Sequence, residues 1–120
     1  MTAASAGIDG YIDSMRALGS NAERTGDVVR VPVEAVGGAR HAQTIQVGVG
    51  CEELVSWPAT PPHWIHLPAD ITFHRTNINT DATLAGYARH SRQVANWGDA
   101  AEPARAWLAQ LRSVLAEAIT

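Results

Sequence analysis

The sequence predicts an α+β domain: an N-terminal helix, a small antiparallel meander sheet, a proline-rich crossing and a C-terminal helix. Three observations carry this. Apolar residues recur at helical spacing near both ends, at Ile8, Tyr11, Ile12, Met15 and Leu18, and again from Trp107 to Ala118. Apolar and polar residues alternate between Val29 and Cys51. Prolines then crowd the chain at Pro58, Pro61, Pro62 and Pro68. Helices at both ends of a short run of strands form two layers, with the helices on one face of the sheet.

Residues 6 to 18 read as an amphipathic helix, with Ser5 as its N-cap and Gly19 just past its end. Residues 20 to 26 read as a polar loop. Val29, Val31 and Val33 mark a half-buried strand, and Pro32 within it predicts an edge strand, because proline has no N–H for a ladder. Gly37-Gly38 predicts a turn, and Ile45, Val47, Val49 and Cys51 predict a second strand paired as a hairpin. Gly48 and Gly50 thin the opposite face of that strand, which either admits a close neighbour or marks a bulge. Leu54 to Trp57 reads as a short third strand.

From Trp57 to Phe73 the prolines predict a rigid, extended, irregular crossing rather than a helix or a central strand. Residues 75 to 81 read as a loop, 84 to 94 as a segment open to a short helix, and 98 to 101 as a linker. Pro103 suits a first helical turn, and Trp107, Leu108, Leu111, Val114, Leu115 and Ala118 form one apolar stripe over residues 102 to 119.

The chain's 120 residues suit one domain, spanning 1–120, which buries roughly two thirds of its unfolded surface. The hydrophobic content of 46% and the charged content of 18% are those of a globular chain. A net charge of −3 supplies no basic face for nucleic acid or for an anionic membrane. The single cysteine, Cys51, permits no internal disulfide, which fits a reducing cytoplasm. No signal-peptide pattern and no long apolar run is visible. All nine basic residues are arginine. A biased coding composition accounts for that, and so does avoidance of lysine beside lysine-modifying chemistry.

Histidines and arginines are the candidate functional side chains. His63 and His66 stand three apart, which places them on one face only in a tight helical turn. With no second close pair to complete a tetrahedral set, no metal site and no cofactor are expected. The two rings are expected to cap backbone groups of the crossing. Arg89-His90-Ser91-Arg92 is expected to fix a loop against the sheet or to bind a carboxylate in the fork of an arginine. Ser91 is a weak nucleophile candidate, because its sequence neighbour His90 is poorly placed to act as its base. Cys51 reads as a small core hydrophobe. Trp57 and Trp64 pack the crossing onto the sheet, or one of them marks a partner groove.

Pro61-Pro62-His63-Trp64-Ile65-His66-Leu67-Pro68, followed by Gly86-Tyr87, Arg89-His90-Ser91-Arg92 and Trp97, resembles the bacterial ubiquitin-conjugating-like proteins. The order of elements is similar to the ubiquitin-conjugating-enzyme fold (UBC-like or RWD-like): a helix, a meander whose last strand ends in a Pro-Pro segment, and C-terminal helices. The resemblance spans about residues 25 to 118.

It implies a place in a bacterial ubiquitin-like modifier pathway, including one that serves antiphage defence, with a ubiquitin-like protein or its activating enzyme as partner. Conjugating enzymes carry the modifier on a cysteine beyond the double proline, where a thiolate is both nucleophile and leaving group. Nothing after Pro62 is a cysteine here. The resemblance therefore implies a non-catalytic or atypical member that binds or scaffolds, with His63, Trp64, His66, Arg89, His90 and Arg92 as its binding residues. Ser91, His90 and Cys51 stay as weak catalytic candidates. The alternative is a small enzyme or ligand-binding protein built on a pocket of His63, His66, His90 and Arg92. A third expectation is an interaction module that pairs through the Pro32 strand or dimerises.

Overall fold

The computed structural model describes residues 6–74, 78–99 and 101–120. Helix α1 (Gly7–Ala17) follows Ala6, whose extended backbone supplies no side-chain cap. The expected cap, Ser5, lies outside the described residues. Gly19 ends the helix at φ +89°, a conformation that glycine adopts without a Cβ penalty.

Six strands follow: β1 (Glu23–Thr25), β2 (Val28–Glu34), β3 (Thr44–Gly50), β4 (Trp64–Pro68), β5 (Ile78–Asn79) and β6 (Tyr87–Ser91). They form one sheet in the order β1-β2-β3-β4-β6-β5, and every neighbouring pair is antiparallel. Helix α2 (Pro103–Ala116) closes the chain with proline in its first turn. The first four strands are a meander in sequence order. The fold class is therefore α+β, with a helix before the sheet and a helix after it.

Several expectations about elements need correction, beginning with the polar loop over residues 20 to 26, which holds strand β1. The crossing is not irregular throughout, because Trp64–Pro68 is a strand inside the sheet, between β3 and β6. Its four residues before Pro68 keep their N–H groups, and the remaining prolines fall outside it. The double proline thus precedes the last meander strand instead of ending it. Residues 54 to 57 form no strand; a 3₁₀ turn at Cys51–Leu54 breaks the ladder after Gly50. Residues 84 to 94 contain β6 instead of a helix, and β5 lies in the expected loop, of which 75–77 fall outside the described residues. Strand β2 is not an edge strand, but β1 pairs only with Val28–Arg30, so Pro32 sits beyond the end of β1.

One sheet face builds the core. Val29, Val31 and Val33 of β2, Val47 and Val49 of β3, and Ile65 and Leu67 of β4 are buried with Tyr11 and Met15 of α1 and Trp107, Leu111 and Leu115 of α2. Each such side chain contributes about 1.5–3 kcal/mol on burial. Polar groups inside this layer must be paired, and the Trp107 indole N–H donates to the Tyr11 hydroxyl at 2.9 Å. Burial pushes the Tyr11 hydroxyl pKa up, against a smaller opposing effect of that bond. Gly38, at φ +76°, lets the β2–β3 turn reach the end of α2; a Cβ there would lie 2.5 Å from the Ala116 carbonyl oxygen.

Candidate functional site

The sheet face opposite the helices carries the site. Strand register places Arg30, Gly48, His66 and Arg89 in one row across β2, β3, β4 and β6. Beside this row, Val28 pairs with Gly50 and Trp64 with Ser91. The glycines of β3 leave a trough in the middle, and their neighbours lean into it. A Cβ on Gly48 would lie 2.8 Å from Val28 Cγ1 and 2.9 Å from His66 Cβ. The thinned face is therefore filled by close packing, not by a bulge.

A cleft of about 530 Å³ opens beside this trough. His66 and Arg89 form one wall, and Ala82, Thr83 and Leu84 another. Thr25 to Val28 and Gly50 to Glu53 complete it. The Cys51 N–H donates to the Asp27 carbonyl oxygen at 2.8 Å, which ties the 3₁₀ turn to the β1–β2 turn. That volume lies within the range of small-molecule sites.

His66 is 1% exposed. Its Nδ1 lies 2.7 Å from Thr83 Oγ1. Its Nε2 comes within 3.7 Å of the point where a Gly50 Cβ would stand, and Glu53 Oε2 within 3.9 Å of that same point. Burial, and then the charge of Arg89, push the His66 pKa down to about 4, so the ring is neutral at pH 7. Arg89 lies with its guanidinium 4.6 Å from the Trp64 ring centroid, a cation–π contact. Its Nε is buried without a hydrogen-bond partner among the described residues.

Glu53 caps the start of β4: His63 N–H and Trp64 N–H donate to Glu53 Oε1 at 2.8 and 3.1 Å. The expected backbone caps, His63 and His66, hydrogen-bond side chains instead. His63 Nε2 lies 2.5 Å from Ser91 Oγ. That pair is 28 residues apart in the chain and is brought together by the Trp64–Ser91 register of β4 and β6. No third side chain among the described residues hydrogen-bonds His63 Nδ1.

The four residues of the expected histidine–arginine pocket are not brought together. His66 lines the cleft and His63 stands exposed at the start of β4. His90 pairs in register with Ile65, on the helix side of the sheet, and its ring meets Phe73 edge-on at 5.0 Å. The Arg92 guanidinium lies 5.1 Å from the same Phe73 ring. Burial, followed by the charge of Arg92, pushes the His90 pKa down to about 4. Arg89, Trp64 and His66 do share the open face. No group of three histidine, cysteine or acidic side chains among the described residues converges as a metal site.

Cys51 is 6% exposed and belongs to the core cluster. Burial pushes its thiol pKa up; nearby Arg24 opposes this and Asp27 adds to it. The thiol is thus held protonated, the opposite of an activated nucleophile. Trp57 is buried, with its ring against those of Tyr11 of α1 and Trp97. Comparison with models of known protein families, with curated proteins and with solved structures finds no match. None of the helices among the described residues is long and apolar enough to cross a membrane.

Proposed function

We propose that this chain is a non-catalytic binding domain of the ubiquitin-conjugating-like kind, acting in a bacterial ubiquitin-like modifier pathway, in the cytoplasm, with a role in phage defence. Its partner in this reading is the modifier or its activating enzyme. The observation that carries the non-catalytic half is the state of Cys51: the sole cysteine lies before the double proline, inside the core, with its thiol pKa raised. The N-terminal helix, antiparallel meander and final helix support the fold assignment, while the double proline, which precedes the last meander strand, departs from the expected pattern. The pathway itself comes from the Pro-Pro-His-Trp and His-Ser-Arg resemblance. Affinity capture with a ubiquitin-like protein and an activating enzyme encoded beside this chain tests it. Retention of either supports the reading, and retention of neither removes the pathway.

The cleft favours a second reading: a ligand-binding protein that uses His66 and Arg89, with His63, His90 and Arg92 outside the cleft. Convergence of a neutral imidazole and a guanidinium in a concave apolar-walled space supports it. Amide chemical shifts of cleft residues on titration with small molecules check it.

A further inference from the structure

The cleft has two electrically different ends. At one, Arg89 supplies the cation: His66 beside it is uncharged at neutral pH, with one ring nitrogen taken by Thr83. The Arg89 side chain makes no hydrogen bond or ion pair with any described residue, and its guanidinium carbon lies 4.6 Å from the Trp64 ring centroid. A guanidinium so placed keeps its fork of donors for an acceptor brought from outside, and a carboxylate matches that fork. Toward the other end, on the β1–β2 turn and the turn after β3, stand two carboxylates, Asp27 and Glu52. Glu53 lies nearer His66 and is committed to the two backbone N–H groups at the start of β4. Asp27 and Glu52 are exposed.

Between the ends, Val28, Cys51 and Leu84 supply apolar wall. Strand β6, which carries Arg89, and strand β3, which runs into the Cys51–Leu54 turn that carries Glu52, lie two strand spacings apart, roughly 10 Å. A plain anion meets repulsion at the acidic end, and a plain cation meets it at Arg89.

The geometry points to an elongated zwitterion as the ligand of this cleft: a carboxylate seated on Arg89, an apolar spacer along the wall, and an ammonium group toward Glu52 and Asp27. This rests on the reading of the cleft as a ligand site.

The test uses 6-aminohexanoate as probe, with hexanoate, hexylamine and inorganic phosphate beside it, followed by amide chemical shifts of the full chain. The expected result is movement of the Gly50, Glu52, Thr83 and Arg89 amides, with 6-aminohexanoate at least about tenfold tighter than hexanoate or hexylamine. Arg89→Gln should bring its affinity down to that of hexylamine. The Asp27→Asn, Glu52→Gln double variant should bring it down to that of hexanoate. Arg89→Lys, which keeps the charge but loses the fork, should bind at an intermediate level and serves where Arg89→Gln does not fold.

Equal affinity for the zwitterion and the single-charge probes overturns the proposal, as does indifference to the Arg89 variants. If hexanoate, hexylamine or phosphate moves the cleft amides without that preference, the zwitterion fails and the cleft remains a site. If no probe moves them, both fail.

Discussion

Replacing Gly48 by alanine probes the trough from which the open face is built. The new Cβ would stand 2.8 Å from Val28 Cγ1 and 2.9 Å from His66 Cβ. Neither atom is the far end of a flexible chain: a valine γ-carbon is fixed by a stiff χ1, and a Cβ moves only with its backbone. Overpacking of this kind costs about 1–3 kcal/mol. Reduced freedom of the unfolded chain returns about 0.4–1 kcal/mol. The net expectation is a loss of about 1–2 kcal/mol, or roughly 1 M in urea midpoint.

Gly50→Ala is the matched control. Its Cβ would meet His66 Nε2 at 3.7 Å and Glu53 Oε2 at 3.9 Å, ordinary contacts. That variant should stay within about 0.5 kcal/mol of wild type. Equilibrium urea unfolding, followed by tryptophan fluorescence, measures both. Equal midpoints for the two variants, or a Gly48→Ala protein as stable as wild type, would refute the packing described for the open face.

Other expectations follow from the same contacts. Tyr11→Phe strands the buried Trp107 N–H and should cost about 1–3 kcal/mol by urea unfolding. Glu53→Ala removes the shared acceptor of two N–H groups at the start of β4 and should cost about 1–3 kcal/mol, whereas Glu53→Gln, which keeps one oxygen, should cost less. His66 and His90 have native pKa values of about 4, below the ordinary 6.5, so between these values the unfolded chain binds more protons than the native one. Stability should therefore fall as pH drops from about 6.5 toward 4 and level off below, and His66→Asn should flatten part of that slope in unfolding curves taken across the window.

The sequence made both helices and the hairpin strands legible because one face of each is apolar at a fixed period. Strand β4 was harder, since the prolines around it dominate local propensity while Trp64 to Leu67 between them stay free to pair. Strand β6 was hidden for a different reason. Its alternation joins Tyr87, Arg89 and Ser91 on the open face to Ala88 and His90 on the core face, so its inward histidine breaks the apolar pattern.

The site was half legible. Arg89, Trp64 and His66 were singled out by residue type. Thr83 and Glu53 carried no signal, because their roles depend on a loop and a turn that fold back onto β4. The Ser91–His63 pair is set by register alone, which one-dimensional spacing does not reveal.

The central claim is that this domain binds without carrying a modifier covalently. Intact-mass spectrometry tests it most directly, on this chain incubated with ATP, a neighbouring activating enzyme and its modifier, beside Cys51→Ala and Ser91→Ala. The account predicts a non-covalent complex and an unchanged mass for all three proteins. An adduct on wild type that disappears in either variant would make that residue a carrier and contradict the account.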